Sequence, residues 1–221
     1  MRALLIAACF AFAGIPCVAQ NAANPAAQPP ANPCAQFTHA AGLSAKGDHA
    51  AALAEWTTLA ISHPNQPCIE NNVGLELLHI GDPDNAIPHF EKAIALNPSS
   101  AEPHNYLGAA LLADGMHAQH DRAEREFKRA IELNPKYADA QTNLGALCLD
   151  EGNPTQAEQL FRAAIVSDPQ FIRAYVSLAR TLAAQSQLTE ADAILVKALA
   201  IDPNSREAQR LRKQIRSMMN Q

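Results

Sequence analysis

The sequence is poor in aromatic residues, in glycine and in recognisable catalytic motifs. Aromatic side chains account for 5% of the 221 residues, and there are nine glycines. With 48% apolar residues and abundant alanine, this composition predicts closely packed helices and no strands. The chain has no glycine-rich phosphate loop, no H-E-x-x-H and no G-x-S-x-G, which removes the usual evidence for a nucleotide-binding protein, a zinc protease or a serine hydrolase.

Basic residues are scarce between the two ends of the chain. The formal net charge is −5, and residues 3–205 hold 11 lysines and arginines against 21 aspartates and glutamates. An acidic body of this kind repels phosphate backbones, which argues against nucleic acid as a partner. Long apolar runs are also missing, since the run from Ala3 to Ile15 has 13 residues and is too short to span the ~30 Å core of a bilayer as a helix.

The first 32 residues are typical of an export signal followed by a tether. Residues 1–19 contain one basic residue, the apolar run, and the small residues Cys17 and Ala19 before Gln20, which predicts a cleavable secretory signal. A retained anchor is the alternative. Residues 20–32 contain only Ala, Asn, Gln and Pro, so nothing in them favours burial and we expect a flexible tether.

From residue 33 onward the chain repeats a unit of about 34 residues. Each unit contains two short amphipathic stretches that are separated by a turn. Units of this kind bury their apolar faces against their neighbours, so the period predicts an all-α solenoid of five antiparallel helix pairs. The five units are residues 33–66, 67–100, 101–137, 138–171 and 172–205.

Small and large apolar residues recur at fixed places in these units, and they are the predicted core. A small residue in the first stretch and an alanine in the second let two helices approach, and a large side chain fills the space beside them. The small residues are Ala40, Gly74, Gly108, Gly145 and Ala179, the alanines are Ala52, Ala86, Ala123, Ala157 and Ala191, and the large residues are Trp56, Phe90, Phe127, Phe161 and Leu195.

Turn-forming residues occur at two places in each unit. One lies between the two helical stretches, and the other lies at the end of the unit. Glycine stands at the turn in four units and Ser186 in the fifth, as expected for a left-handed residue after a helix. A proline ends every unit, because proline cannot continue the preceding helix. The glycines are Gly47, Gly81, Gly115 and Gly152, and the prolines are Pro64, Pro98, Pro135, Pro169 and Pro203.

This pattern resembles the tetratricopeptide repeat (TPR) over residues 33–205. The resemblance implies antiparallel helix pairs that stack into a right-handed superhelix, with a concave groove that binds peptides or partner helices. The residues that carry it in the fourth unit are Asn143, Leu144, Gly145, Ala157, Phe161, Ala164 and Pro169.

Residues 206–221 follow the last unit and have no second stretch to pair with. Their basic, amphipathic pattern predicts a helix that caps the open end of the solenoid. Contact with a membrane or with acidic proteins is the alternative for such a helix.

Helical geometry predicts which residues line the concave groove. At 100° per residue, the outward positions of the first helices lie opposite the core positions. The apolar outward residues form a contiguous strip, which predicts a site for an apolar peptide or helix, with amide and guanidinium groups nearby to hold its polar groups. The predicted groove residues are Phe37, Asn71, Leu75, Leu78, Asn105, Leu112, Thr142, Leu149, Arg173, Val176 and Arg180.

The cysteines and a histidine pair offer further chemistry. Cys34 and Cys68 occupy the same place in adjacent units and are candidates for a disulfide in an exported protein. Because stacked helices lie ~9 Å apart, beyond the reach of a relaxed disulfide, two free thiols are the alternative.

Cys148 is predicted to be a buried apolar filler. His117 and His120 lie in an extended turn without further soft ligands, so we expect a solvated loop and no metal or cofactor.

Signal, repeats and cap leave no separate catalytic domain in this chain, so an enzyme is not expected. We expect an exported scaffold or adaptor that binds another protein, with neither nucleic acid nor a small-molecule substrate. By analogy with short exported repeat proteins, it would act as an envelope assembly factor in the periplasm, or as a secreted protein. The alternative is a structural spacer or a self-associating module with no separate ligand.

Overall fold

A computed structural model describes residues 34, 37–113 and 119–220, and the part of the chain that it describes is helical without strands. The predicted signal (residues 1–19) and tether (residues 20–32) lie outside the described residues. None of the described helices is long and apolar enough to cross a membrane. The helices are α1 (Thr38–Ala45), α2 (His49–Ser62), α3 (Pro67–His79), α4 (Pro83–Leu96), α5 (Ala101–Leu112), α6 (His120–Leu133), α7 (Ala138–Asp150), α8 (Pro154–Ser167), α9 (Ile172–Ala184), α10 (Leu188–Ile201) and α11 (Arg206–Met219).

The turn between two paired helices ends one helix and starts the next within a few residues. In the turn from α3 to α4, Gly81 has φ +82° and its amide donates to the Leu78 carbonyl, while the Asp82 side chain accepts from the Asn85 amide at the start of α4. Gly47 and Gly152 adopt the same left-handed conformation, and so does Ser186 at φ +64°. The prediction of left-handed turn residues is confirmed at these positions, while Gly115 lies outside the described residues.

The helices of a pair approach closely where the sequence predicts small residues. A Cβ atom built on Gly145 would lie 2.6 Å from the ring of Phe161, and the glycines of the two preceding pairs have the same relation to their phenylalanines. These phenylalanines are fully buried. The predicted pairing of a small residue with a large one is therefore confirmed for Gly74 with Phe90, Gly108 with Phe127 and Gly145 with Phe161.

Replacing Gly145 by valine should lower the free energy of unfolding by about 2 kcal/mol, because the added side chain overlaps the buried ring of Phe161. Gly42, in α1, provides the matched control, since a Cβ there would meet no atom within 4 Å. There the same substitution should be neutral or stabilising by a few tenths of a kcal/mol, since valine is a better helix former than glycine. Urea unfolding followed by circular dichroism measures both effects, and equal effects at the two positions would contradict this account.

The odd-numbered helices from α3 to α11 form one continuous layer. Besides the neighbours in sequence, α3 contacts α5, α5 contacts α7, α7 contacts α9 and α9 contacts α11. We call this row of helices the inner layer. Side chains that point away from the paired even-numbered helices therefore share one face of the protein.

A disulfide joins the start of the described chain to α3. Cys34 and Cys68 are bonded, and their Cα atoms lie 6.0 Å apart. The expected separation of ~9 Å applies to two stacked helices and does not apply here. Cys34 lies in a turn before α1, where its carbonyl accepts from the Phe37 amide, so the chain bends towards the first turn of α3.

Helix α11 covers the C-terminal end of the inner layer and of α10. Ala208 and Ile215 are fully buried. Asp192 of α10 accepts from Arg212 at 2.8 Å and from Arg216 at 3.0 Å. The bond from Arg212, supported by Arg216, holds the pKa of Asp192 below its ordinary value. The predicted capping helix is confirmed.

Candidate functional site

The predicted groove residues lie on the inner layer, apart from Phe37, which precedes α1. Helix α3 carries Asn71, Leu75 and Leu78, α5 carries Asn105 and Leu112, α7 carries Thr142 and Leu149, and α9 carries Arg173, Val176 and Arg180. The structure thus brings these residues to neighbouring helices.

The apolar members are less accessible than the sequence predicts. Val176 is 3% exposed, and Thr142 is equally buried. Phe37 and the leucines at 78, 112 and 149 are partly buried against the core. The physical reason is that the helices of the inner layer contact one another, so these side chains fill the seams between helices. The sequence predicts an open apolar strip, but in the structure these side chains are partly or fully covered.

Three polar side chains on successive helices of the inner layer form a hydrogen-bonded row. Arg173 of α9 donates to the Asn143 side-chain oxygen of α7 at 3.2 Å, and Asn143 donates to the Asn105 side-chain oxygen of α5 at 2.8 Å. Asn105 in turn donates to the Tyr137 hydroxyl at 3.5 Å. We call Asn105, Asn143 and Arg173 the amide row. Asn105 is 2% exposed, so Asn143 and Arg173 are the members of the row whose amide and guanidinium groups a ligand can reach.

Arg173 is held in place by further contacts. Its Nη2 atom donates to Asp139 at 3.0 Å, and its guanidinium carbon lies 5.2 Å from the centre of the Phe171 ring. The side chain is nevertheless half exposed. Because its bonds to Asp139 and Asn143 both come from Nη2, the other guanidinium donors remain for a ligand at this edge of the row.

Two partly buried tyrosines lie at the other edge of the amide row. Burial, with Glu102 and Asp139 nearby, raises the pKa of Tyr106. Burial, reinforced by Tyr106, Glu102 and Asp139, raises the pKa of Tyr137 further still. Both hydroxyls therefore stay protonated throughout the physiological pH range. Of the two carboxylates, Asp139 is paired with Arg173, and Glu102 remains as the negative charge beside the tyrosines.

A cleft of about 540 Å³ lies between α3 and the start of α5, and its lining does not include the three residues of the amide row. Its lining is rich in short polar side chains, including Asn71, Asn97, Glu102 and Asn134. The side-chain oxygen of Asn71 is enclosed and accepts no hydrogen bond from the described residues. Since buried polar atoms normally have partners, this oxygen is an unsatisfied acceptor in the wall of the cleft.

Sequence reasoning missed Tyr137 and Phe171 as parts of the site. Each lies two residues after the proline that ends a unit, Pro135 and Pro169 respectively, just before the next helix starts. The recurrence of an aromatic residue at this spacing is the signal that would have identified them.

The structure tests the prediction for Cys148 but does not test the one for His117 and His120. Cys148 is 2% exposed, and burial, reinforced by Glu151 and Glu124, raises its pKa, so its thiol is neutral and inaccessible, as predicted for an apolar filler. His117 lies outside the described residues, and His120 begins α6, so the proposed loop around His117 and His120 stays untested.

Sequence comparisons identify the repeats in the described part of the chain. Models of the tetratricopeptide repeat match residues 149–215 and residues 116–172, and a TPR repeat model matches residues 74–115. No curated protein sequence matches the chain.

Solved structures share the helical architecture. A crystal structure of MamA is 29% identical with a TM-score of 0.59, and the alignment covers 74% of this chain and 94% of that one. A TPR protein from Thermus thermophilus is 21% identical with a TM-score of 0.71, and the alignment covers 83% of this chain and 97% of that one. MamA from Desulfovibrio magneticus is 19% identical with a TM-score of 0.61, and the alignment covers 77% of this chain and 94% of that one.

Proposed function

Because the chain is a tetratricopeptide repeat protein, a family of protein–protein interaction scaffolds, we propose that it binds a segment of a partner protein along its inner layer. The observation that carries this proposal is the amide row of Asn105, Asn143 and Arg173, which crosses α5, α7 and α9 of the inner layer. We do not propose an enzymatic role.

The amide row suits the backbone of an extended peptide. A side-chain amide offers one acceptor and two donor hydrogens, which matches the C=O and N–H groups of a peptide. Packed helices lie ~8–10 Å apart, about the length of three extended residues, so each helix of the inner layer can address every third residue of a ligand. We therefore favour an extended segment over a helix as the occupant.

The surroundings of the amide row narrow the composition of that segment. The leucines at 78, 112 and 149 keep part of their surface accessible and can accept apolar side chains. Glu102 favours a basic side chain over an acidic one near α5, while the remaining donors of Arg173 can bind a carboxylate at α9. The proposed ligand is thus a mixed segment with apolar residues and a basic end facing α5.

Replacing Asn143 and Arg173 together by alanine should weaken peptide binding at least tenfold, because it removes the accessible donors of the amide row. The probe is a peptide selected from a displayed random library on the wild-type protein, and its affinity is measured by fluorescence anisotropy. Circular dichroism should show unchanged helicity.

The matched control replaces Ile61 and Val166 by alanine, since these residues are 80% and 81% exposed on even-numbered helices. Equal loss in both double variants, or no loss in the first, would refute the proposed site. If sedimentation shows instead that wild type is a dimer and that the Asn143 and Arg173 variant is a monomer, the inner layer binds a second copy of the chain.

We also propose that the protein works outside the cytoplasm, in the cell envelope or the medium, as an assembly factor or adaptor. The signal-like pattern of residues 1–19 supports this, and so does the Cys34 to Cys68 disulfide, since disulfides persist in oxidising compartments. A bacterial periplasm fits both observations.

A further inference from the structure

A buried carboxylate and two imidazoles meet where the first helix pair packs on the second. Glu76 of α3 is 1% exposed and accepts from the Ser44 hydroxyl at 2.5 Å and from His49 Nδ1 at 2.8 Å. The Nδ1 atom of His79 lies 3.7 Å from the same carboxylate oxygen. One ligand atom from each of His49, Glu76 and His79 lies within 4.8 Å of the others, and the two rings lie 4.2 Å apart.

A second buried glutamate on the same helix, Glu70, has a lysine partner that Glu76 lacks among the described residues. Glu70 is 2% exposed and is paired with Lys92 at 2.6 Å as well as with His89 at 2.8 Å. Burial alone would raise the pKa of Glu70, but the bonds from Lys92 and His89 hold it below its ordinary value. Among the described residues, no lysine or arginine forms such a pair with Glu76.

A buried carboxylate needs a compensating positive charge, and buried charges are either paired or bound to metal ions. At Glu70 the ammonium group of Lys92 supplies that charge. At Glu76 a second histidine stands in the place of the lysine, and a neutral imidazole has a lone pair that an ammonium group lacks. The two sites thus share the carboxylate and one imidazole and differ in their capacity to accept a cation.

We propose that His49, Glu76 and His79 bind one divalent transition-metal ion of the zinc, nickel or copper class. Two imidazoles and one carboxylate are the donors that these ions prefer, whereas calcium and magnesium prefer oxygen alone. The ion replaces the hydrogen bond from His49 to Glu76, and the Nδ1 proton of a neutral His49 moves to Nε2 through solvent. Ser44 keeps its bond to the other carboxylate oxygen and orients it.

The accessibility of the ligands permits this exchange. The side chains of His49 and His79 are 30% and 44% exposed, so an ion can reach them and His79 can rotate towards the carboxylate. Three protein ligands leave a coordination position for water or for a ligand from another molecule.

The bound ion would fix the first helix pair at the end of α3 opposite to the disulfide. Cys68 lies in the first turn of α3, while Glu76 and His79 lie in its last turn. Ser44 and His49 belong to α1 and α2. The ion therefore joins α2 to α3, and α1 is tied to the same site through the bond from Ser44 to Glu76. The site lies outside the amide row, and this proposal does not depend on the peptide proposal.

The test is a titration of zinc sulfate and of nickel sulfate into the full chain, treated with chelator and free of an affinity tag. Calorimetry should show one ion per chain, and the melting temperature should rise with ion concentration, since the ion binds the folded state. His79→Ala should lower the affinity at least tenfold without changing the helicity of the ion-free protein. His49→Gln keeps a donor to Glu76 and should lower the affinity similarly.

His89→Ala is the matched control, because His89 holds the other buried glutamate, and it should leave the ion affinity unchanged. The proposal is overturned if the wild-type protein binds neither ion, or if His89→Ala lowers the affinity as much as His79→Ala. It is also overturned if His117→Ala with His120→Ala abolishes binding while His79→Ala does not, since the ion would then lie in the turn before α6.

Discussion

Replacing Phe127 by alanine is expected to lower the free energy of unfolding by about 4 kcal/mol, the largest effect among the substitutions considered. Its ring is fully buried between α5 and α6 and fills the space that Gly108 leaves open. Because the backbone of α5 already approaches as closely as Gly108 allows, the cavity can collapse only in part. Urea unfolding followed by circular dichroism measures the loss.

The matched control is Val166→Ala, which removes an apolar side chain that is 81% exposed and should change stability by less than about 0.5 kcal/mol. Two probes show which part of the protein the Phe127→Ala substitution destabilises. Trp56 is the single tryptophan and lies in the first helix pair, so its fluorescence follows that pair while circular dichroism follows all helices. A loss below about 1 kcal/mol by circular dichroism would contradict the packing described above.

Removing the disulfide by replacing Cys34 and Cys68 with serine should lower stability by about 3.5 kcal/mol. The reason is the loop that it closes, since the two cysteines are 34 residues apart and the unfolded chain gains freedom without the bond. The loss should appear mainly in the fluorescence of Trp56, which lies inside the loop. Reductant should destabilise the wild-type protein by a similar amount and leave the double variant unchanged.

The thiol count of the non-reduced protein tests the same bond. If the mature chain begins at Gln20, Cys9 and Cys17 are absent and only Cys148 should react with a thiol reagent after denaturation. Three reactive thiols would show that Cys34 and Cys68 are free. In the same experiment, the mass of the mature chain shows at which residue it begins.

Much of the fold could be predicted because it rests on relations that repeat along the sequence. Gly145 and Phe161 are 16 residues apart in one unit, and the same spacing recurs in Gly74 with Phe90. A small residue and a large one at fixed spacing suffice to predict a close helix crossing. The turn at Ser186 followed from the glycines at the equivalent places, although serine rarely adopts a positive φ.

The candidate site was harder to predict, because helical geometry gives the direction of a side chain and does not say what covers it. Helical geometry places Val176 opposite the core positions of its own helix, yet it is 3% exposed and belongs to the hydrophobic core. Interactions such as that of His49 with Glu76 join residues 27 apart on different helices and leave no period in the sequence. These contacts depend on the stacking angle of the pairs, which a repeat length alone does not give.

The restriction of contacts to near neighbours has a mechanical consequence. In the described part of the chain, extensive contacts join helices that are adjacent or next but one in sequence. A pulling force on the two ends therefore meets a series of small barriers, and the protein should lengthen stepwise as successive pairs give way. Each released unit of 34 residues adds up to roughly 120 Å of contour length. The Cys34 to Cys68 bond excludes the first unit from this extension, so the first helix pair is the least extensible of the described pairs.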